Sequence, residues 1–178
     1  MYLRNGIFLC LICFVLQSCV TQSTFSILPK NVSNHTSIEG IYSNISEIDT
    51  LKHEANNAIA LWNVVHRKHQ IEADSIIVKI EIINSKMLQF SFYKDGENVG
   101  IKLLKGGFCS DGCFYTRRVF YIVPILPILW WYEDSQKRIY RIDDELVIET
   151  IYSGGGVMII MANGNAYSNI WRFKYVKN

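Results

Sequence analysis

Two histidines three positions apart, His66 and His69, are the first residues whose type and spacing suggest chemistry. On a helix they share a face, and His53 and Asp74 are the nearest residues that could complete a zinc set. The segment His66-Arg67-Lys68-His69 equally describes a solvated helix end whose positive charge suits its C-terminus, and that reading is adopted. Carboxylates gather at Asp143-Asp144-Glu145, with Glu133 and Asp134 upstream, as acid and base pairs sometimes do. They stand in turn contexts, where aspartate is favoured for its local hydrogen bonds. Gly154-Gly155-Gly156 precedes no helix, so it fits neither phosphate-binding loop and is expected to form a turn or bulge. No Gly-x-Ser-x-Gly or comparable nucleophile context occurs. The expectation is a non-enzyme, with no catalytic residue, no metal and no cofactor.

Cys109 and Cys113 flank Ser110-Asp111-Gly112, which is turn chemistry. Across a three-residue hairpin loop the flanking Cα atoms lie about 4.5–5.5 Å apart. That falls inside the roughly 4.4–6.8 Å a disulfide accepts, so a bridge is expected as readily as two small buried thiols. So short a loop would gain little entropy from closure.

The N-terminus carries a different pattern. Arg4 is followed by an apolar run from Ile7 to Leu16, then Gln17-Ser18-Cys19. A charged start, an apolar core and a small residue before the cut describe an export signal. The run is half the roughly 20 residues that a membrane-spanning helix needs. Leu16-Gln17-Ser18-Cys19 resembles the lipobox of bacterial lipoproteins. The resemblance implies that Cys19 is acylated and becomes the first residue of the mature chain, with Leu16 and Ser18 as processing determinants. It divides the chain into a signal peptide (1–18), a lipidated cysteine with a mobile polar tether (19–37) and one domain (38–178). Surface-exported lipoproteins of Bacteroidetes carry an acidic signal after the cysteine, whereas Val20 to Thr24 holds no acid. The same resemblance therefore implies a lipid anchor in the outer membrane with the domain facing the periplasm. Asp49-Thr50-Leu51 and Asp74-Ser75-Ile76 match the pattern used for O-glycosylation in those bacteria, which would make Thr50 and Ser75 acceptors.

Lysine and arginine total 18 against 16 aspartate and glutamate, without clustering, so nucleic acid is not an expected partner. Aromatic residues make up 13% of the chain and prolines number three, while isoleucine and valine recur in short runs; this is a folded, β-rich composition. Ala58, Leu61, Trp62 and Val65 draw one apolar stripe on a helix over Glu54 to Arg67. From Ser75 onward, short alternating runs are separated by turns at Asn84-Ser85-Lys86, Lys94-Asp95-Gly96, Asp143-Asp144-Glu145 and Asn163-Gly164-Asn165. About eight or nine strands with no helix between neighbours predict a mainly β fold, an antiparallel up-and-down barrel or strongly curved sheet with one covering helix. A two-sheet β-sandwich is the alternative. Gly40-Ile41-Tyr42 resembles the Gly-x-aromatic opening of lipocalin-like barrels, which implies a sharp bend at Gly40 and an aromatic plug at Tyr42.

Val119 to Tyr132 (VFYIVPILPILWWY) holds no charge and two prolines. It is expected to be a buried lid or corner filled by Trp130 and Trp131, the alternative being an apolar surface for a membrane, lipid or protein. The functional expectation is a membrane-anchored protein that binds a small apolar ligand or lipid, using Tyr42, Trp62, Trp130, Trp131 and Trp171. The alternative is a protein-interaction module of the envelope, either an assembly accessory or an inhibitor or immunity-type lipoprotein.

Overall fold

The computed structural model describes residues 24–28, 38–47, 60–66, 76–126, 129–158 and 161–176. The fold is mainly β, with nine antiparallel strands and one short helix. In chain order these are β1 (Gly40–Glu47), α1 (Leu61–His66), β2 (Ile76–Asn84), β3 (Met87–Lys94), β4 (Glu97–Phe108) and β5 (Phe114–Thr116). There follow β6 (Val119–Leu126), β7 (Leu129–Ile142), β8 (Glu145–Met158) and β9 (Met161–Tyr175). All nine belong to one hydrogen-bonded sheet, in the order β5-β4-β3-β2-β1-β9-β8-β7-β6, with a further pairing of β5 to β7. The two-sheet sandwich is therefore not formed.

The chain divides into two compact units. The larger holds Phe25–Arg117, Gln136–Thr150 and Asn169–Asn178. Within it, Phe114 pairs with Ile139 and Tyr115 with Arg138, which joins β5 to β7 and closes the ring β1-β2-β3-β4-β5-β7-β8-β9. This is an eight-stranded barrel, the size whose interior side chains can just fill. Alternation decides what goes inside. Ile76, Val78 and Ile80 of β2 are buried while Ile77 and Lys79 between them are exposed. Register sets Val78 opposite Phe92, Ile80 opposite Phe90 and Ile82 opposite Leu88, so both strands deliver their large residues to one face. Phe114, Ile139, Leu146, Ile148 and Phe173 complete the interior from β5, β7, β8 and β9.

Turn chemistry fixes that register. Asp95 and Gly96 both have positive φ, 52° and 85°, the type I′ geometry that matches strand twist. Gly40 has φ 151°, and a Cβ built there would lie 2.4 Å from the Tyr175 ring. Tyr42, two residues on, is fully buried and donates its hydroxyl to the Ile38 carbonyl at 2.9 Å. Burial pushes that phenol up to about 12. Helix α1 spans Leu61–His66, with Ala60 before it bridged to Ile45; the rest of the expected helix from Glu54 to Arg67 lies outside the described residues. Leu61, Val64 and Val65 join the interior cluster. The Trp62 amide donates to the buried Asn44 side chain at 3.0 Å, and its ring meets Phe92 edge-on at 4.7 Å.

Three expectations are corrected. Val119 to Tyr132 is not a lid or corner; it forms β6 and the start of β7. Proline is tolerated because β6 ends the strand order, where a missing ladder donor costs little. Gly154 to Gly156 lie within β8, and Asn163-Gly164-Asn165 within β9, in place of turns. Within the segment expected to form the tether, Phe25, Ser26 and Leu28 contact the barrel unit, as described below.

Replacing Gly40 by alanine should lower stability by about 1–3 kcal/mol from the backbone alone, with the Tyr175 clash added. Urea unfolding of the full chain measures it, and an unchanged midpoint would contradict the assigned backbone.

Candidate functional site

The smaller unit contains Thr24, Arg118–Ser135 and Ile151–Ser168 among its described residues. β6 and β7 form a hairpin in which Val119 faces Ser135, Tyr121 faces Glu133, Val123 faces Trp131 and Leu126 faces Leu129. Successive residues of a strand point to opposite faces. Phe120 and Ile122 therefore stand on one face and Tyr121 and Val123 on the other, yet all four are 51–57% exposed. Trp130 and Trp131 divide between the faces in the same way and are 47% and 44% exposed. The expected burial is corrected for the described side chains Phe120 to Val123, Trp130 and Trp131.

The hairpin is fastened at its base and backed by glycine. Arg118 grips Asp134 through Nε, at 2.7 Å to Oδ1 and 3.0 Å to Oδ2, while its Nη2 also reaches Oδ2. The Asp134 side chain is only 10% exposed, so this forked contact raises the Arg118 pKa. The Trp131 ring stands 3.6 Å from where a Gly156 Cβ would be. The Tyr132 hydroxyl stands 2.9 Å from the equivalent point at Gly164. At Gly154 a Cβ would meet the Tyr152 hydroxyl at 2.6 Å, and Tyr152 stacks on Tyr167 with centroids 4.9 Å apart. Gly154, expected in a turn or bulge, and Gly164, expected in a turn, instead make room for aromatic rings laid along strands, whereas a Cβ at Gly156 would make ordinary contact with Trp131.

A second polar constellation lies on the outer wall of the barrel unit and was missed in the sequence. Arg138 and Glu149 alternate with the inward Ile139 and Ile148, and their side chains are 4% and 0% exposed. Arg138 Nη2 pairs with Glu149 Oε2. Phe25, Ser26 and Leu28 supply the rest. The Ser26 amide donates to Glu149 Oε1 at 2.6 Å, and Arg138 Nη2 donates to the Ser26 carbonyl at 2.9 Å. Arg138 also lies over the Phe25 and Tyr140 rings, and Leu28 packs on Cys113, Tyr140 and Val147. These contacts make a strap joint, because both charges are spent on each other and on the strap.

The remaining candidates separate. Tyr42 is core, and Trp62 and Trp171 pack against that core, so only Trp130 and Trp131 of the five aromatic candidates present a surface. Carboxylates meet arginines: Glu145 with Arg172 at 3.0 Å and Asp144 with Arg141 at 3.4 Å. Asp143 sits in a turn with φ 50°. Cys109 and Cys113 are free thiols, which corrects the disulfide expectation. Cys113 is buried in the small outer cluster whereas Cys109 is exposed, so the side chains occupy different surroundings. Leu16, Ser18, Cys19, Thr50, His53, His69, Asp74 and Ser75 lie outside the described residues, as does the His66 side chain.

Burial, reinforced by Asp111, pushes the Cys113 thiol up to about 12. At pH 8 iodoacetamide should therefore label Cys109 and spare Cys113 until denaturant is added, as read by peptide mass; equal labelling would contradict the burial. Glu149→Ala should cost about 3–5 kcal/mol by leaving Arg138 buried and unpaired. The Arg138→Met, Glu149→Leu double variant should recover most of that loss in urea unfolding. No protein-family model, curated protein or solved structure matches the chain.

Proposed function

We propose that this chain is a lipid-anchored protein of the bacterial cell envelope that acts by binding, not by catalysis, through the β6–β7 hairpin. The observation that carries the reading is the uncharged stretch Val119 to Tyr132, whose described side chains from Phe120 to Val123 and at Trp130 and Trp131 stand exposed. Exposed apolar surface of this kind marks contact sites. A small apolar ligand inside the barrel has less support, because Tyr42, Phe90, Phe92, Phe114 and Phe173 already fill the interior with the α1 side chains. The carboxylates are engaged by arginine, an arrangement that suits stability more than proton transfer.

The anchor rests on the Leu16-Gln17-Ser18-Cys19 motif, and the absence of acid in Val20 to Thr24 supports a periplasm-facing domain on the outer membrane. The chain purified from its host in detergent should have an intact mass that begins at Cys19 and includes acyl groups. Cys19→Ala should retain residues 1–18 and carry no acyl mass. A mature wild-type chain without acyl groups would overturn the anchor. A stoichiometric small apolar molecule in the native mass spectrum would return the binding site to the barrel interior.

A further inference from the structure

We infer that the β6–β7 hairpin is a membrane-docking element whose apolar partner is the surface of a phospholipid bilayer. The inference rests on the anchor reading for its proximity argument and on the hairpin itself for its chemistry. A strand that docks on a protein presents one face, so its apolar residues recur at every second position. β4 shows that pattern: Val99, Ile101 and Leu103 are exposed, and Gly100, Lys102 and Leu104 between them are half-buried. β6 does not. Phe120, Tyr121, Ile122 and Val123 are consecutive, apolar or aromatic, and exposed on both faces. A medium that surrounds the strand satisfies both faces at once, and one flat partner does not.

The depth of docking follows from the backbone. Among the described residues β6 pairs only with β7, and backbone N–H and C=O groups on a free outer edge are too costly for the hydrocarbon core. Docking is therefore shallow, about 5–10 Å into the headgroup and acyl boundary. Trp130, Trp131 and Tyr121 are the residue types that settle at that boundary. Arg117 and Arg118, both exposed, immediately precede the uncharged stretch, with Arg118 forked to Asp134. Thr24 belongs to the same compact unit as the hairpin. It follows Cys19 by five positions, so the acyl chains can lie at most about 18 Å of extended backbone from it. An anchor on so short a lead keeps this unit, and with it the hairpin, beside the bilayer.

The test is tryptophan quenching in the mature chain reconstituted into phosphatidylethanolamine–phosphatidylglycerol vesicles. The acyl chains would be brominated either near the headgroup or near the terminal methyl. Quenching should be stronger with the shallow bromine, and Trp130→Phe with Trp131→Phe should lose most of it, leaving Trp62 and Trp171 unaffected. Phe120→Asp with Ile122→Asp, which keeps both tryptophans, should also abolish it; an unchanged far-ultraviolet spectrum confirms the fold of either variant. An acylated chain with unquenched tryptophans overturns the inference and makes a protein the occupant of the hairpin. A chain without acyl groups whose Trp130 and Trp131 are still quenched upholds the inference and removes only the anchor.

Discussion

The barrel depends on a three-residue strand. β5 carries Phe114, Tyr115 and Thr116, and its pairing to β7 turns an open run of strands into a ring. Thr116 reinforces the seam: its hydroxyl accepts the Lys137 amide at 2.9 Å, and its carbonyl accepts the Gln136 side chain at 3.0 Å. Closure removes sheet edges that would otherwise invite association. It also encloses the phenylalanine cluster, each member of which contributes about 1.5–3 kcal/mol by leaving water. So short a seam needs support from outside, and the wall supplies it.

That support is the Arg138–Glu149 pair with the strap over it. Tyr115 faces outward from β5, touches the Phe25 ring edge-on at 5.6 Å, and donates its hydroxyl to Asp111 at 2.6 Å. Arg138 is the register partner of Tyr115, so the residue that pairs with Glu149 also sits at the closing ladder. A buried ion pair is weak evidence for stability, but breaking one is costly because the remaining charge has no water. The strap thus couples the N-terminal segment to the integrity of the ring.

Much of the fold was legible because local signals agreed with the global one. The alternation of Val78, Ile80, Leu88, Phe90 and Phe92 and the turn at Asp95-Gly96 lead directly to the observed pairing. Gly40 and Tyr42 were also legible, one by its φ and the other by its burial. Burial of Val119 to Tyr132 was misread because hydrophobicity reports a preference for leaving water without saying what covers the residue. Gly154 to Gly156 were misread because glycine signals turns but also occurs within strands, at Gly154 beside the Tyr152 ring. Arg138 and Glu149 gave no local signal, since their meaning comes from a strap more than a hundred positions away in sequence.

What results is a barrel with a filled interior and a separate unit whose β6 strand exposes apolar residues on both faces. On the proposed function, apolar binding takes place on the hairpin and not within the ring. Hydrogen exchange of the full chain, with and without phosphatidylethanolamine–phosphatidylglycerol vesicles, distinguishes the two. Amides of β6 and of the first residues of β7 should gain protection with vesicles, while those of β2, β3 and β4 should exchange as before. Unchanged β6 amides together with new protection in β2 to β4 would contradict it, and would place the binding site inside the barrel.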